Sequence, residues 1–448
     1  MRDHSNHIEL KREECIQSLI DASNFKPGTE TVSLHDALGR VVATDCTSKY
    51  DLPSALCAGM DGIAVRYDDF TDADGNQVMP DVTSWEYGRE YDWANTGTAV
   101  PDGYDTSIAI EACTFDESGK LTALAQAPSE RGDNCSEPGS SVKKGQLIVG
   151  AHTRLTPTKI SALAMVGYTD VEVVCKPKVV FIPTGDELVA PGTDLPRGKA
   201  YETNGIMLEM KLRTWGAEPV VYDVLPDDWD QIKAAIERAA AEADIVAINA
   251  GSSKGAKDFT MEILEEIGTV FCHETNHGPG RHTSASVVDG TPVLGLSGPP
   301  SGCEITADWY LKPLVDSYLF GEAHAFDTVV ATLAEGLPGA GGHHGGPGAG
   351  GPGGGGRPGG QGGGPGGGPG GPGAGGGPSE GFFAIKPVKL THTVDGDIAE
   401  FVGGPGRHAS LMALDEADGY LEMNPRAAGE YVAGSKVEIR LRYPYTAE

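Results

Sequence analysis

The chain has little that would take it into a membrane or onto a nucleic acid. No stretch approaches the run of about eighteen apolar residues that a spanning helix requires. The opening stretch, MRDHSNHIELKREEC, lacks the apolar core of a signal peptide. Basic residues are scarce: 34 Lys and Arg stand against 64 Asp and Glu, a formal net charge of −30 at pH 7 with a pI of about 4.7. So acidic a surface repels phosphate backbones and anionic lipid alike, so no nucleic acid and no membrane are the expected partners. It also means that an anionic ligand must be met by a local cluster of cations. The eight cysteines (Cys15, Cys46, Cys57, Cys113, Cys135, Cys175, Cys272, Cys303) form no CxxC pair and no zinc-finger spacing. Scattered thiols of this kind fit a reducing compartment, and the expected location is cytoplasmic.

A nucleotide P-loop is absent too. The nearest approach is NAGSSKGAKD, Asn249 to Asp258, which follows the apolar run DIVAIN and precedes FTMEILEEIG. A P-loop needs GxxxxGK followed by Ser or Thr, whereas Gly251 and Gly255 are four apart and Lys257 is followed by Asp258. The loop still has anion-binding character. Gly251 and Gly255 let a ligand approach the backbone, Ser252 and Ser253 offer hydroxyls, and Lys254 and Lys257 bring charge.

At 448 residues the chain is long enough for two to four domains. Its sharpest change of composition runs from Gly336 to Pro378, almost all Gly and Pro without a Gly-X-Y period. With few side chains to bury, this segment cannot offset its own chain entropy and is expected to be a disordered tether. Before it, residues 56–139 hold short strand-like runs broken by Gly, Asp and Pro, a β-rich lobe. Residues 8–55 and 140–176 form an N-terminal or linker domain, with a helix from Ile8 to about Ser23 and another opening at TPTKI. From 177 to 322 strands and helices alternate: VVFIP, NGIMLEMKLRTWG, PVVYDVL, DWDQIKAAIERAAAEA, DIVAIN. Asn204 is expected to cap the second of these, and Gly216 to stop it. SASVVDGTPVLGL reads as a hairpin through Asp289-Gly290. The expected fold class is therefore α/β and β multidomain. A parallel-type sheet carries helices on both faces, a β-rich lobe precedes it, and a small C-terminal β-barrel (380–448) follows the tether.

Ligands of open α/β sheets bind where strands end. Three strand-exit loops matter: PTGDEL, NAGSSKGAKD and LSGPPSG. Asp186 and Glu187 suit Mg²⁺, a hard cation that takes oxygen ligands, or they simply favour a helix N-terminus. Ser301 opens a helix after LSGPP, a natural place for an oxyanion. NHGPGRH, with His277, Arg281 and His282, reads as a surface turn of positive character.

Taken in order, DALGRVVATD, AGMDGIAVR, TGTAVPDG, TPTKI, FIPTGDELV, ETNGIMLEM, GSSKGAKD, GPGR and LSGPPSG resemble the molybdopterin molybdenumtransferase family, the molybdenum-insertion enzymes that include the gephyrin C-terminal domain. The resemblance runs from about residue 9 to 320. It implies an elongated homodimer whose α/β domain binds molybdopterin. It implies an enzyme that hydrolyses adenylylated molybdopterin, releases AMP, and sets molybdenum from molybdate (or tungsten from tungstate) on the dithiolene with Mg²⁺. The molybdopterin adenylyltransferase is an implied partner. Carried over by motif, the catalytic positions are Asp61, Thr96, Asp227 and Asp258, with Glu187 and Asp258 for the metal. Asp61 would reach the site from the partner chain. The substrate-binding set is Gly251, Ser252, Ser253, Lys254, Gly255, Lys257, Arg281, His282, Ser297 and Ser301.

The sequence departs from its family in the pocket expected to hold oxyanion and pterin. The usual GGVSVG reads AGSSKG, the usual KPGKP reads GPGRH, and the usual LPGNP reads LSGPP. A lysine is thus lost at Gly278, and Lys254 is expected to replace part of its charge. Arg281 keeps the second charge but with a planar, bidentate fork. The alternative implied by these changes is a non-catalytic molybdopterin carrier or scaffold.

Overall fold

The computed structural model describes residues 9–250, 259–336, 381–403 and 410–442. The predicted tether beyond Gly336 and the loop from Gly251 to Asp258 lie outside them. The chain divides into two compact units, one made of the residues up to Pro27 with those from Lys176 onward, the other of Gly28–Cys175. Among the described residues no helix is long and apolar enough to cross a membrane.

The chain begins with α1 (Arg12–Ala22), which follows a two-residue strand, Glu9–Leu10, paired parallel to Glu274–Thr275. The second unit, Gly28–Cys175, then opens with β1 (Thr29–Ser33). It contains a three-stranded antiparallel sheet of β2 (Gly62–Val65), β3 (Tyr91–Ala94) and β4 (Thr106–Ala109), with β2 in the middle. Ile63, Val65, Phe70, Trp85, Tyr91, Ile108 and Leu121 form the core of this lobe. A separate core of Leu34, Val42, Leu155, Leu163 and Val173 lies around α2 (Pro157–Met165) and β5 (Asp170–Val174), the latter paired antiparallel to β1.

The start of α2 is as expected from TPTKI. Thr156 Oγ1 accepts the Lys159 amide at 3.3 Å, and Pro157 takes the first helical position, where no amide is needed. Thr156→Ala is expected to lower stability by about 1 kcal/mol in denaturant unfolding, while Thr156→Ser leaves it nearly unchanged.

In the first unit, strands and helices alternate through β6 (Lys178–Ile182), α3 (Asn204–Trp215), β7 (Glu218–Val221), α4 (Trp229–Glu242), β8 (Ile245–Ala250), α5 (Thr260–Ile267), β9 (Thr269–Cys272), β10 (His277–Gly278), β11 (Ser284–Val288) and β12 (Thr291–Ser297). One six-stranded sheet has the order β7-β6-β8-β12-β11-β9, parallel through β12 and antiparallel beyond it. The switch comes from the β11–β12 hairpin, whose turn residues Asp289 and Gly290 both have positive φ, as a tight two-residue turn demands. Val180, Ile182, Val246 and Ile248 point to α4 and α5. Strand alternation turns the buried Val179, Phe181, Ile245 and Ala247 to the opposite face, where α3 lies against β6 and β7.

Asn204 does not cap α3. Thr203 holds the cap position, and Asn204 is the first helical residue. Its amide instead donates to Asn249 Oδ1 (3.2 Å) and to the Gly298 carbonyl (2.9 Å), tying two strand exits together. Gly216 ends the helix in the left-handed conformation, φ +92°.

After α6 (Pro300–Thr306), a π-helical turn and α7 (Lys312–Phe320), five strands close into a barrel: β13 (Thr328–Leu333), β14 (Phe383–Thr393), β15 (Gly396–Phe401), β16 (Gly419–Met423) and β17 (Lys436–Leu441). Its core is Ala331, Leu333, Val388, Leu390, Phe401, Leu421 and Ile439 among others. One barrel strand, β13, precedes the Gly/Pro-rich segment. Among the contacts that tie the barrel to the sheet domain are a strand pairing and an ion cluster. β10 pairs parallel with β14, and a buried ion cluster joins Lys211 to Asp308 at 2.8 Å and Glu304 to Arg442, with Tyr420 Oη donating to Asp308 at 2.9 Å.

Candidate active site

In the second unit, Asp61 immediately precedes β2. The glycine after it is obligatory, because a Cβ on Gly62 would lie 1.9 Å from the Ile108 carbonyl oxygen of β4. Asp61 Oδ1 accepts the Thr96 amide (2.8 Å) and the Thr96 hydroxyl (3.0 Å), which hold its carboxyl below the usual range. The two residues named from MDG and TGT are thus one exposed constellation, a carboxylate of lowered pKa presented by a glycine turn.

In the first unit, the exits of β6 and β7 meet. Thr184 bridges Leu225, and the Gly185 amide donates to the Leu225 carbonyl at 3.1 Å. This brings Asp186, Glu187 and Asp227 to one edge, with the Asp227 amide donating to Asp186 Oδ1 at 3.2 Å. Asp228 is used otherwise, as the N-cap of α4, its carboxylate accepting the Gln231 amide at 3.0 Å. The Glu187 carboxylate folds over Gly185, where a Cβ would lie 2.8 Å from Oε2, and it remains exposed. Such hard oxygen donors fit Mg²⁺ in kind. Among the described residues, no three His, Cys, Asp or Glu side chains gather closely enough to hold a metal. Asp258 and the other residues proposed from 251–257 lie outside the described residues.

A cavity of about 300 Å³ opens beside the end of β12, lined by Pro279, Gly280, Ser297, Ser301, Ile305 and Lys386 among others. It gathers the GPGR turn, the LSGPPSG loop and the barrel. Gly302 is required, since a Cβ there would lie 2.3 Å from Ser297 Oγ. Sequence reasoning missed Lys386. In β14 it sits half-buried, and burial alone pulls its pKa below the ordinary lysine value. Its side chain makes no hydrogen bond or ion pair among the described residues. A half-buried cation without a counter-ion among the described residues, on the lining of one cavity with two serines, suits an oxyanion.

Arg281 and His282 are not brought to this lining. Arg281 pairs with Glu274 (3.1 Å) and Glu9 (3.7 Å), and His282 faces Glu274 at 3.3 Å. The segment is also not a plain surface turn. His277 is fully buried among Trp309, Tyr310 and Phe383, and burial takes its pKa down to about 4.

Residues 9–167 match the MoeA N-terminal region (domain I and II), and residues 180–317 match a probable molybdopterin binding domain. A molybdopterin molybdenumtransferase of Bacillus subtilis (strain 168) is 31% identical over 323 residues, covering 69% of this chain and 75% of its own. The chain belongs to the molybdopterin molybdenumtransferase family. The Haemophilus influenzae relative of that name is 29% identical over 68% of this chain and 77% of its own. A crystal structure of the molybdopterin biosynthesis MoeA protein from Pyrococcus horikoshii OT3 superposes with a TM-score of 0.69 at 25% identity, covering 97% of this chain and 100% of that one. The molybdenumtransferase family is one of transferases in molybdenum cofactor biosynthesis. Asp61 and Thr96 lie in the first matched region, Glu187, Asp227 and Ser301 in the second, and Lys386 beyond both.

Proposed function

We propose that this protein inserts molybdate, or tungstate, into adenylylated molybdopterin and releases AMP. The observation that carries the reading is the cavity holding Lys386, Ser297 and Ser301 at the end of a parallel sheet. Water adds across the pyrophosphate link, giving AMP and the pterin phosphate. Metal–sulfur bonds form to the dithiolene as oxyanion oxygen leaves as water with the thiol protons. The metal keeps its oxidation state, so no reductant is needed. Lys386 and the serines position the oxyanion and offset its charge. Asp227, Asp61 and Thr96 are proposed to act on the pterin and phosphate side, Asp61 from a partner chain in a homodimer. Lys254, Lys257 and the neighbouring small residues are proposed to face the phosphate. Glu187 and Asp258 would hold Mg²⁺, which when bound neutralises charge on the phosphates.

The domain division at 8–55 with 140–176, 56–139 and 177–322 is part of this proposal, as is delivery of the substrate by the molybdopterin adenylyltransferase. The test is AMP release from adenylylated molybdopterin with Mg²⁺, comparing molybdate, tungstate and no oxyanion. Oxyanion-dependent AMP is expected, and the preferred anion names the metal. Tight binding of the adenylylated pterin with no AMP from either anion would instead make the protein a carrier.

A further inference from the structure

Two of the eight cysteines meet inside the first unit. α1 turns Arg12, Cys15, Ile16 and Leu19 inward, a stripe at helical spacing, and packs against β9 and β11. Cys272 ends β9, and the pairing of Glu9–Leu10 with Glu274–Thr275 runs just beyond it. The Cys15 thiol donates to the Cys272 sulfur, and the Cys272 thiol donates to the Glu274 carbonyl at 2.8 Å. Both side chains are fully buried. Their chemistry differs from that of the other thiols. Burial raises the pKa of Cys46, Cys113, Cys135 and Cys303. Cys272 moves down instead, because the Cys15 thiol and the Leu10 and Glu274 amides donate to its sulfur and outweigh burial. The same bond pins the proton of Cys15, whose pKa burial raises further. Cys272 is thus the nucleophile of the pair, and Cys15 the thiol placed to resolve it.

We propose that Cys15 and Cys272 are a redox modification site, which a hydroperoxide converts to a disulfide that staples α1 to the end of β9. Cys272, as thiolate, attacks a peroxide oxygen. The O–O bond breaks, the departing hydroxide takes up a proton as water, and a sulfenic acid is left on Cys272. The Cys15 sulfur then attacks the Cys272 sulfur. The S–S bond forms, the S–O bond breaks, and hydroxide leaves with the Cys15 proton as a second water. The two thiols give up two electrons and one peroxide receives them, so no other reactant is consumed. Burial sets the rate of this step. The strand that ties the start of α1 to the sheet is only two residues long, so local opening of the helix admits an oxidant as small as hydrogen peroxide. With the helix closed, the two sulfurs are already bonded partners. The disulfide, once formed, opposes the opening that let the oxidant in. Neither thiol has a part in the reaction proposed above.

The test is a peptide map of the full chain, reduced, exposed to hydrogen peroxide and alkylated in denaturant. A cross-link joining the peptides of Cys15 and Cys272 is expected, with free thiols falling from eight to six and returning to eight with dithiothreitol. Hydrogen exchange of the α1 amides should slow roughly tenfold or more in the oxidised protein. In Cys15→Ser the Cys272 sulfenic acid has no resolving thiol and should be captured by dimedone, whereas Cys272→Ser should give no adduct at Cys15. Peroxide that leaves Cys15 and Cys272 free while other thiols oxidise, or that cross-links a different pair, would overturn the proposal even if neither variant folds. A Cys15–Cys272 bond with α1 exchange unchanged would overturn the stapling, and a dimedone adduct at Cys15 in Cys272→Ser would overturn the assignment of Cys272 as nucleophile.

Discussion

Lys386→Ala is expected to weaken tungstate or molybdate binding by on the order of thirtyfold or more, equivalent to about 2 kcal/mol. Besides Lys386 the cavity offers Ser297, Ser301 and apolar or small residues, and among the described residues no other cation lines it. Arg281, three residues from Gly278, has its charge answered by Glu274 and Glu9. Among the described residues, removing Lys386 thus leaves only neutral donors for an oxyanion, in an otherwise acidic protein. Stability should hardly change, because no carboxylate partner of Lys386 is left behind. Lys386→Arg should recover part of the affinity, its planar fork replacing a point charge.

The pH dependence follows in sign. The ammonium form binds the anion, and burial lowers the pKa of Lys386. Affinity should therefore fall at a lower pH than an ordinary lysine would allow, and the alanine variant should lose that limb. Isothermal titration across neutral to alkaline pH measures both effects. Equal affinities of wild type and variant would remove Lys386 from the site and leave the cavity without its main electrostatic feature.

Why Lys386 could not be read from the sequence is plain from its strand. In FAIKPVKL a lysine alternates with apolar residues and reads as a solvent-facing position. Only closure of the barrel and the pairing of β10 with β14 bring it beside Gly280. The same non-local pairing hid β13, whose partners β15 and β17 lie beyond the Gly/Pro-rich segment. What repeats locally was legible. VVFIP and DIVAIN became adjacent parallel strands, Asp289-Gly290 became the hairpin turn, and Thr156 and Gly216 became the cap and the stop of their helices. Asn204 was misread because its short polar side chain suits a cap, while tertiary contacts with Asn249 and Gly298 claim it. The MDG and TGT motifs gave Asp61 and Thr96 separately, and their mutual hydrogen bonds are a fact of the fold.

Acidification from pH 7 to pH 4 is expected to remove about 3 kcal/mol of stability through His277 alone. The imidazole, whose Nδ1 donates to the Pro279 carbonyl at 3.0 Å and whose Nε2 accepts from Tyr310 Oη at 2.7 Å, is held near pKa 4 by burial; the bond to Pro279 opposes that shift, Arg12 adds to it and Glu13 opposes it. Unfolded, it returns to about 6.5. Between those two values the unfolded chain binds a proton that the folded chain refuses, so stability is complete above about 6.5 and falls as pH drops toward 4. The exposed carboxylates with depressed pKa, Asp61 and Asp116 among them, lose their contribution only at lower pH, below their ordinary values. Glu422 acts in the opposite direction, because burial raises its pKa and the folded state then takes up the proton first. A single stability curve therefore mixes signs, and the decisive quantity is a difference between proteins. His277→Phe, paired with Tyr310→Phe so that no hydroxyl is left unsatisfied, removes the titrating ring and keeps the apolar box. Denaturant unfolding of the double variant should show a flatter dependence from pH 6.5 to 4 than the unaltered protein, by roughly the same 3 kcal/mol. An identical slope in both would mean that His277 is protonated in the folded state well above pH 4, and the neutral, two-sided hydrogen bonding that anchors the Pro279 carbonyl would have to be abandoned.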